Sequence, residues 1–207
     1  ELSREWGVAT ATASKAITQL RTEGLVRTSP QGTFVNTERN AHAPQDRVRS
    51  VRRTGSIYPP TERSKILSAQ LVPAPEHVAG ALGVDTGAEV LRRERVTYRG
   101  STPVETSVTW MPAEFAAAVP ELTSTERIPG GTIGRVAEVL GRHVREGRDT
   151  FAAQAADAHL ASLLEISEGT PVLRSTNLWC DETGPIEFGE SFRAAGQEVG
   201  MTYEVQD

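Results

Sequence analysis

The sequence predicts an α+β protein in two parts: a helix–turn–helix with a small β-hairpin at the front, and a larger domain built on a mostly antiparallel sheet with helices against one side. Three observations carry that prediction. Apolar residues recur at spacings of three and four over Ala13, Ala16, Ile17 and Leu20 before short β-type runs begin. Residues 37–53 (TERNAHAPQDRVRSVRR) are polar, lack apolar periodicity and hold Pro44, as an interdomain linker does. Beyond them, long alternating strands meet at Gly100-Ser101 and at Asp181-Glu182-Thr183-Gly184, and no GxGxxG follows a strand. The division this implies is 1–38 for the head, 39–53 for the linker and 54–207 for the body.

Each element of the head has a local signal. Leu2 and Trp6 lie four apart on one helical face, and Gly7 stops a helix that reads as already under way at the first residue. Thr10 or Thr12 can cap a second helix running to about Thr22, which Gly24 ends. Leu25–Thr28 and Thr33–Asn36 read as two short strands around the turn Ser29-Pro30-Gln31-Gly32. This is the layout of a winged helix-turn-helix, in which the second helix enters the major groove and the hairpin tip reaches the backbone or minor groove. The outward positions Thr10, Thr12, Ser14, Lys15, Thr18 and Gln19, with Gly32 at the tip, are the candidate contacts to double-stranded DNA. Lys15 and Arg21 suit phosphates, while Ser, Thr and Gln suit phosphates or base edges. A helical hairpin with a β-ribbon for protein contacts is the plainer alternative.

In the body, strands are expected over 64–72, 88–99, 103–111, 143–153, 171–181, 185–192 and 200–205. Helices are expected over 76–83, 112–119, 133–140 and 156–164, most of them bounded by Pro or Gly.

Composition narrows the function classes. Of 207 residues, 38% are hydrophobic and 24% charged, the pattern of a folded globular chain. No apolar run approaches a membrane span and no leader peptide is read at the start, so no membrane contact and a cytoplasmic location are expected. Cys180 stands alone, and four histidines form no CxxC or HExxH pattern, so neither metal nor cofactor is expected. No Ser–His–acid order appears, and no catalytic residue is named. Net charge is −5, yet residues 1–53 carry nine basic against five acidic side chains. A basic head on an acidic body places any polyanion contact at one end.

The run from Leu2 to Asn36, with Ala16-Ile17, Leu20, Glu23-Gly24-Leu25 and Gly32-Thr33-Phe34-Val35, resembles the DNA-binding domain of the GntR transcription regulators. It lacks that domain's first helix and most of its second. It also carries Thr10 where the family commonly has an Arg used in operator recognition, and only Lys15 keeps a later basic position. The body resembles the UTRA effector-binding domain of the HutC-type branch, whose fold is like chorismate lyase. The matching stretches are 72–96, Pro103 with SVTWMP at 107–112, 155–173 and DETGPIEFGESFR at 181–193.

That resemblance implies a homodimeric repressor released from a palindromic operator by a small-molecule effector. It implies a ligand cleft with Arg95 on the first long strand, Ser107 where phosphosugar sensors carry Glu, Glu187 after the Gly-x-Pro-like turn, and Phe192 near a usual Tyr. Plainer readings stand beside each: Arg95 with Arg93 as solvated strand charges, Ser107 as strand surface, Glu187 paired with an Arg, Phe192 as core. Trp110, Trp179 and Tyr98 read as packing, and the four histidines as isolated. The alternatives in function are a ligand-binding or protein-interaction module with a degenerate head, and a lyase-like enzyme.

Overall fold

The computed structural model describes residues 2–22, 26–29, 32–35, 41–42, 62–195 and 199–200, and the chain divides into two units, 1–41 and 42–207. In the first unit, α1 (Leu2–Glu5) and α2 (Thr10–Thr22) precede β1 (Val26–Ser29) and β2 (Gly32–Val35), which pair antiparallel from Val26↔Val35 to Ser29↔Gly32. Gly7 turns the chain at φ 63°, a conformation that suits a residue without Cβ. Ser3 ties that turn by donating from Oγ to Val8 O at 2.7 Å. Thr10 is the first helical residue and not a cap: Ala9 O already accepts from the Thr12 and Ala13 amides. The Gly24 stop and most of the linker lie outside the described residues.

The second unit holds the two-residue strands β3 (Ala41–His42, at its boundary) and β10 (Val199–Gly200), with a six-stranded sheet between them in the sequence. Its elements run β4 (Glu62–Pro73), α3 (Glu76–Leu82), β5 (Glu89–Arg99), β6 (Thr102–Pro112), α4 (Ala113–Ala118), a 3-10 turn (Pro120–Thr123), α5 (Gly131–Leu140), β7 (Glu146–Ala155), α6 (Ala158–Leu164), β8 (Pro171–Asp181) and β9 (Gly184–Arg193). The strand order β4-β5-β6-β9-β8-β7 is antiparallel throughout and reads as its own mirror about the β6/β9 seam. The strand expected over 143–153 begins later, at Glu146, and the stretch expected over 200–205 lies almost wholly outside the described residues.

The mirror order reflects an internal repeat. His77 and His159 are 82 residues apart, and the same offset pairs Ala74 with Ala156, Leu82 with Leu164, Gly87 with Gly169, Val90-Leu91-Arg92 with Val172-Leu173-Arg174, Pro103 with Pro185 and Glu105 with Glu187. Backbone bonds repeat with it. Val84 N donates to Ala79 O as Ile166 N does to Ala161 O, and Gly87 N to Ala74 O as Gly169 N does to Ala156 O. Even the bulges coincide: the register slips at Val104 beside Thr97/Tyr98 and at Ile186 beside Trp179/Cys180.

Helices cover both faces of the sheet, which corrects the expectation of a one-sided layer. Val90-Leu91 and Trp110-Met111 are consecutive buried pairs, and neighbours on a strand point to opposite faces. On the front face Leu91, Met111, Trp179 and Ile186 pack with Phe115 of α4, with Val119 and Leu122, and with Ile133 and Val136 of α5. On the back face Val90, Trp110 and Phe188 pack with Val78, Ala79 and Leu82 of α3. Beside them Val172 packs with Leu160, Ala161 and Leu164 of α6. Asp157 caps α6 by accepting from Leu160 N at 2.8 Å.

Candidate ligand-binding site

Beyond the helix-covered end, the front face turns polar. Arg95 on β5 stands opposite Ser107 on β6, Ser107 opposite Ser191 on β9, and Ser191 opposite Ser175 on β8. Opposed side chains in antiparallel strands lie about 5 Å apart, so an arginine and a line of hydroxyls cross four strands. Ser107, Ser191 and Ser175 are 2%, 3% and 5% exposed, so Ser107 is not strand surface. Among the described residues, Ser107 Oγ is buried and meets no hydrogen-bond partner. An unsatisfied buried hydroxyl costs on the order of 1–3 kcal/mol, a cost that a polar ligand group would offset.

The rows on either side are occupied by tied charges. Arg93 Nη1 donates to the backbone oxygens of Leu122 and, at 2.7 Å, of Ser124, so it anchors the 3-10 turn and is not a solvated strand charge. Burial, with the nearby Arg95 charge, pulls its guanidinium down to about 10, which leaves it protonated at neutral pH. On the other side, buried Arg193 donates from Nε to Glu105 Oε2 at 2.5 Å.

Glu187 lies on the same face, four residues along β9 from Ser191 and 4% exposed. Thr132 of α5 donates to its Oε2 at 3.5 Å, and Asn177 Nδ2 donates to its Oε1 at 3.4 Å. The structure therefore brings Arg95 and Ser107 side by side and sets Glu187 further along the same face. Phe192 is separated from them. It is five residues from Glu187 on an unbulged stretch of β9, so it faces backward and packs against the cluster of Ala156, Leu160 and Val172. Its neighbour Ser191 takes the forward position.

The back face holds an ionic cluster that no motif pointed to. Glu190 accepts from Trp110 Nε1 at 3.1 Å and from Arg174 Nη2 at 2.9 Å, and lies 3.3 Å from His77 Nε2. Glu94 meets Arg92 at 3.0 Å and His159 Nε2 at 3.1 Å. Burial alone would raise both carboxyls, but these arginine and histidine bonds outweigh it and hold both below the usual carboxylate value. His77 and His159 are thus not isolated; each pins one helix of the repeat to the sheet. Trp110 and Trp179 are core residues, as read. A separate hollow of about 330 Å³, lined by Glu121, Ser124, Arg127, Arg135 and Glu138, contains none of the front-face row. Among the described residues no group of three or more His, Cys, Asp or Glu is placed to hold a metal ion.

In the first unit, Thr10, Thr12, Ser14, Lys15 and Thr18 are exposed on α2, while Ala13, Ile17 and Leu20 are half-buried. Gly32, at φ 134°, is exposed where β2 starts. Of Gln19 only the helical backbone is described.

Comparison with known proteins agrees with this architecture. Residues 61–195 match the UTRA domain family. Over 98% of this chain and 82% of the relative, the sequence is 29% identical to an uncharacterized HTH-type transcriptional regulator, RB1450, of Rhizobium meliloti (strain 1021). The effector domain of PhnF from Mycobacterium smegmatis is 25% identical with a TM-score of 0.60, covering 70% of this chain and 88% of that one. A further likeness, in fold alone, is to a structure described as the ligand-binding domain of a GntR-family transcriptional regulator from Bordetella bronchiseptica. Its TM-score is 0.60 at 21% identity, covering 71% of this chain and 95% of that one. With two thirds of its length matching that family, the chain belongs to the UTRA-domain regulators of GntR type.

Proposed function

We propose that this chain is a ligand-responsive DNA-binding repressor of the HutC-type branch, working as a homodimer on a palindromic operator and released by a small polar effector. The observation that carries the ligand half is the buried Ser107 hydroxyl, which meets no partner among the described residues and stands beside Arg95 in the front-face row. Hydroxyls and a guanidinium together suit an anionic or hydroxylated group, and Glu187 adds an acceptor on the same face. Ser107 in place of a carboxylate disfavours a phosphosugar held through Glu. The DNA half is supported by the exposed Thr, Ser and Lys side chains of α2 and by the likeness to an HTH-type regulator along 98% of the chain. Effector binding would act by favouring a placement of the two heads that cannot span both half-sites. Regulators as relatives, with no Ser–His–acid order, leave catalysis outside this reading.

The test is titration of the full-length chain against its own upstream DNA, with and without a panel of amino acids, sugars, sugar phosphates and organic acids. Tight, salt-sensitive binding released by one compound is the expected result. Lys15→Ala should weaken binding to all sequences and flatten the salt dependence. Arg95→Ala should keep operator binding and lose release. Thr10, a short side chain that cannot make the bidentate arginine contact to guanine, favours a second reading in which the head is degenerate. A folded dimer that binds no upstream segment would select that reading and redirect the search to protein partners.

A further inference from the structure

Gly189 stands opposite Asn177 on β8 and Thr109 on β6. A Cβ built on it would sit 2.2 Å from Asn177 Oδ1 and 2.9 Å from Asn177 Cγ. The Asn177 side chain therefore lies across the glycine backbone, in the space that any other residue would fill. Gly189 is not among the residues with positive φ, so what the glycine supplies is room and not backbone freedom. From that position Asn177 Nδ2 reaches Glu187 Oε1, while Thr132 reaches Oε2 from the opposite element. The first half of the repeat does this differently. There Ser107 stands in the place of Gly189, Arg95 in that of Asn177, and Glu105 takes the Glu187 position and is held by Arg193.

We propose that Gly189 and Asn177 are positioning residues of the ligand site: the bare glycine lets the asparagine amide cross β9 and fix the Glu187 carboxylate as an acceptor for a hydroxyl or ammonium of the effector. Asn177 and Thr132 are neutral donors, so the two bonds they make set the direction of the carboxylate and add no charge of their own. This role rests on the effector-site reading above. It makes the second half of the sheet the hydrogen-bond-accepting end of the site and the Arg95–Ser107 pair the donating end.

The clamp is read directly from the side-chain amide resonances of the full-length chain, with the Asn177 pair assigned by its loss in Asn177→Ser. Glu187→Gln and Gly189→Ala should each move that pair by more than a linewidth; if neither does, the proposal is overturned. The double variant Gly189→Ala with Asn177→Ser removes the collision and should recover the melting temperature of Asn177→Ser alone. Its release from upstream DNA by the compound panel should still require about tenfold more compound than wild type, as expected for a lost hydrogen bond to a charged group. Equal release by the double variant and wild type would overturn the positioning role. If no compound releases wild type, the effector reading fails; the amide shifts then still decide whether the clamp exists, and the role toward an effector falls with that reading.

Discussion

The two halves of the large sheet share a plan and differ in chemistry. Strand, helix, bulged hairpin and even individual backbone bonds recur at one sequence offset, yet equivalent positions carry Arg95 and Asn177, Ser107 and Gly189, Met111 and Arg193. The repeated residues, such as Leu82/Leu164 and Gly87/Gly169, build the turns and the apolar contacts that any copy needs. Divergence runs through the whole repeat, from Val108/Glu190 on the back face to Arg95/Asn177 and Ser107/Gly189 on the polar stretch of the front face. A repeat keeps what both copies need to fold, and the positions it does not keep give the two ends of the front face different chemistry.

The largest expected effect comes from forcing the halves to match. Arg193→Met copies the residue of the first half, Met111, and removes the Arg193 bond to buried Glu105. Removing one member of a buried pair should cost about 3–5 kcal/mol, read as a lower urea midpoint with unchanged slope. A loss within error of zero would mean that the pair adds nothing to the seam.

Smaller is the effect at the hairpin ends. Arg99 pairs with Glu62 at 2.8 Å, and the equivalent Asp181 pairs instead with Arg142. The Arg142 guanidinium, more than any backbone bond, holds Asp181 from its ordinary 3.8 down to about 2. A depressed carboxyl stabilises the fold above its unfolded value and loses that contribution as pH falls through its folded one. Melting temperature should therefore drop between pH 4 and pH 2, and Asp181→Asn should lower the neutral value and flatten this part of the curve. An unchanged acid limb in the variant would sever the link.

The smallest effect is a gain. α3 ends at Gly83 with φ 70°, while α6 ends at Glu165 with φ 54°, the one non-glycine with positive φ among the described residues. Glu165→Gly should stabilise the fold by about 0.5–1 kcal/mol, seen as a small rise in melting temperature. No rise would show that the Glu165 side chain has compensating contacts.

Much of this fold was readable from the residues. Glycine and proline punctuate the helices and hairpins, and period-two runs place most strands of the body within two or three residues. The layering was not, because adjacent apolar pairs such as Val90-Leu91 blur the alternation that would reveal two covered faces. Of the four candidate residues, Arg95, Ser107 and Glu187 share a face of the sheet, whereas Phe192 does not. That separation was available from counting, since an odd spacing from Glu187 without a bulge reverses the face. Asn177 carried no such signal: which neighbour crosses a glycine depends on packing, and only the offset linking it to Arg95 hinted at a role. The pairing of His77 and His159 with buried carboxylates also joins residues far apart in the chain, beyond any local pattern.

The seam between the halves has a kinetic meaning. Within each half the hairpins β5–β6 and β8–β9 close over a few residues, but β6 and β9 join positions such as Glu105 and Arg193 that are 88 residues apart. Loop-closure entropy therefore falls on one ladder, which makes that ladder the late event of folding. Ser107 and Ser191 sit on opposite sides of it. A molecule held by both hydroxyls spans the seam and so lengthens the lifetime of the folded state, slowing its opening more than it hastens its formation.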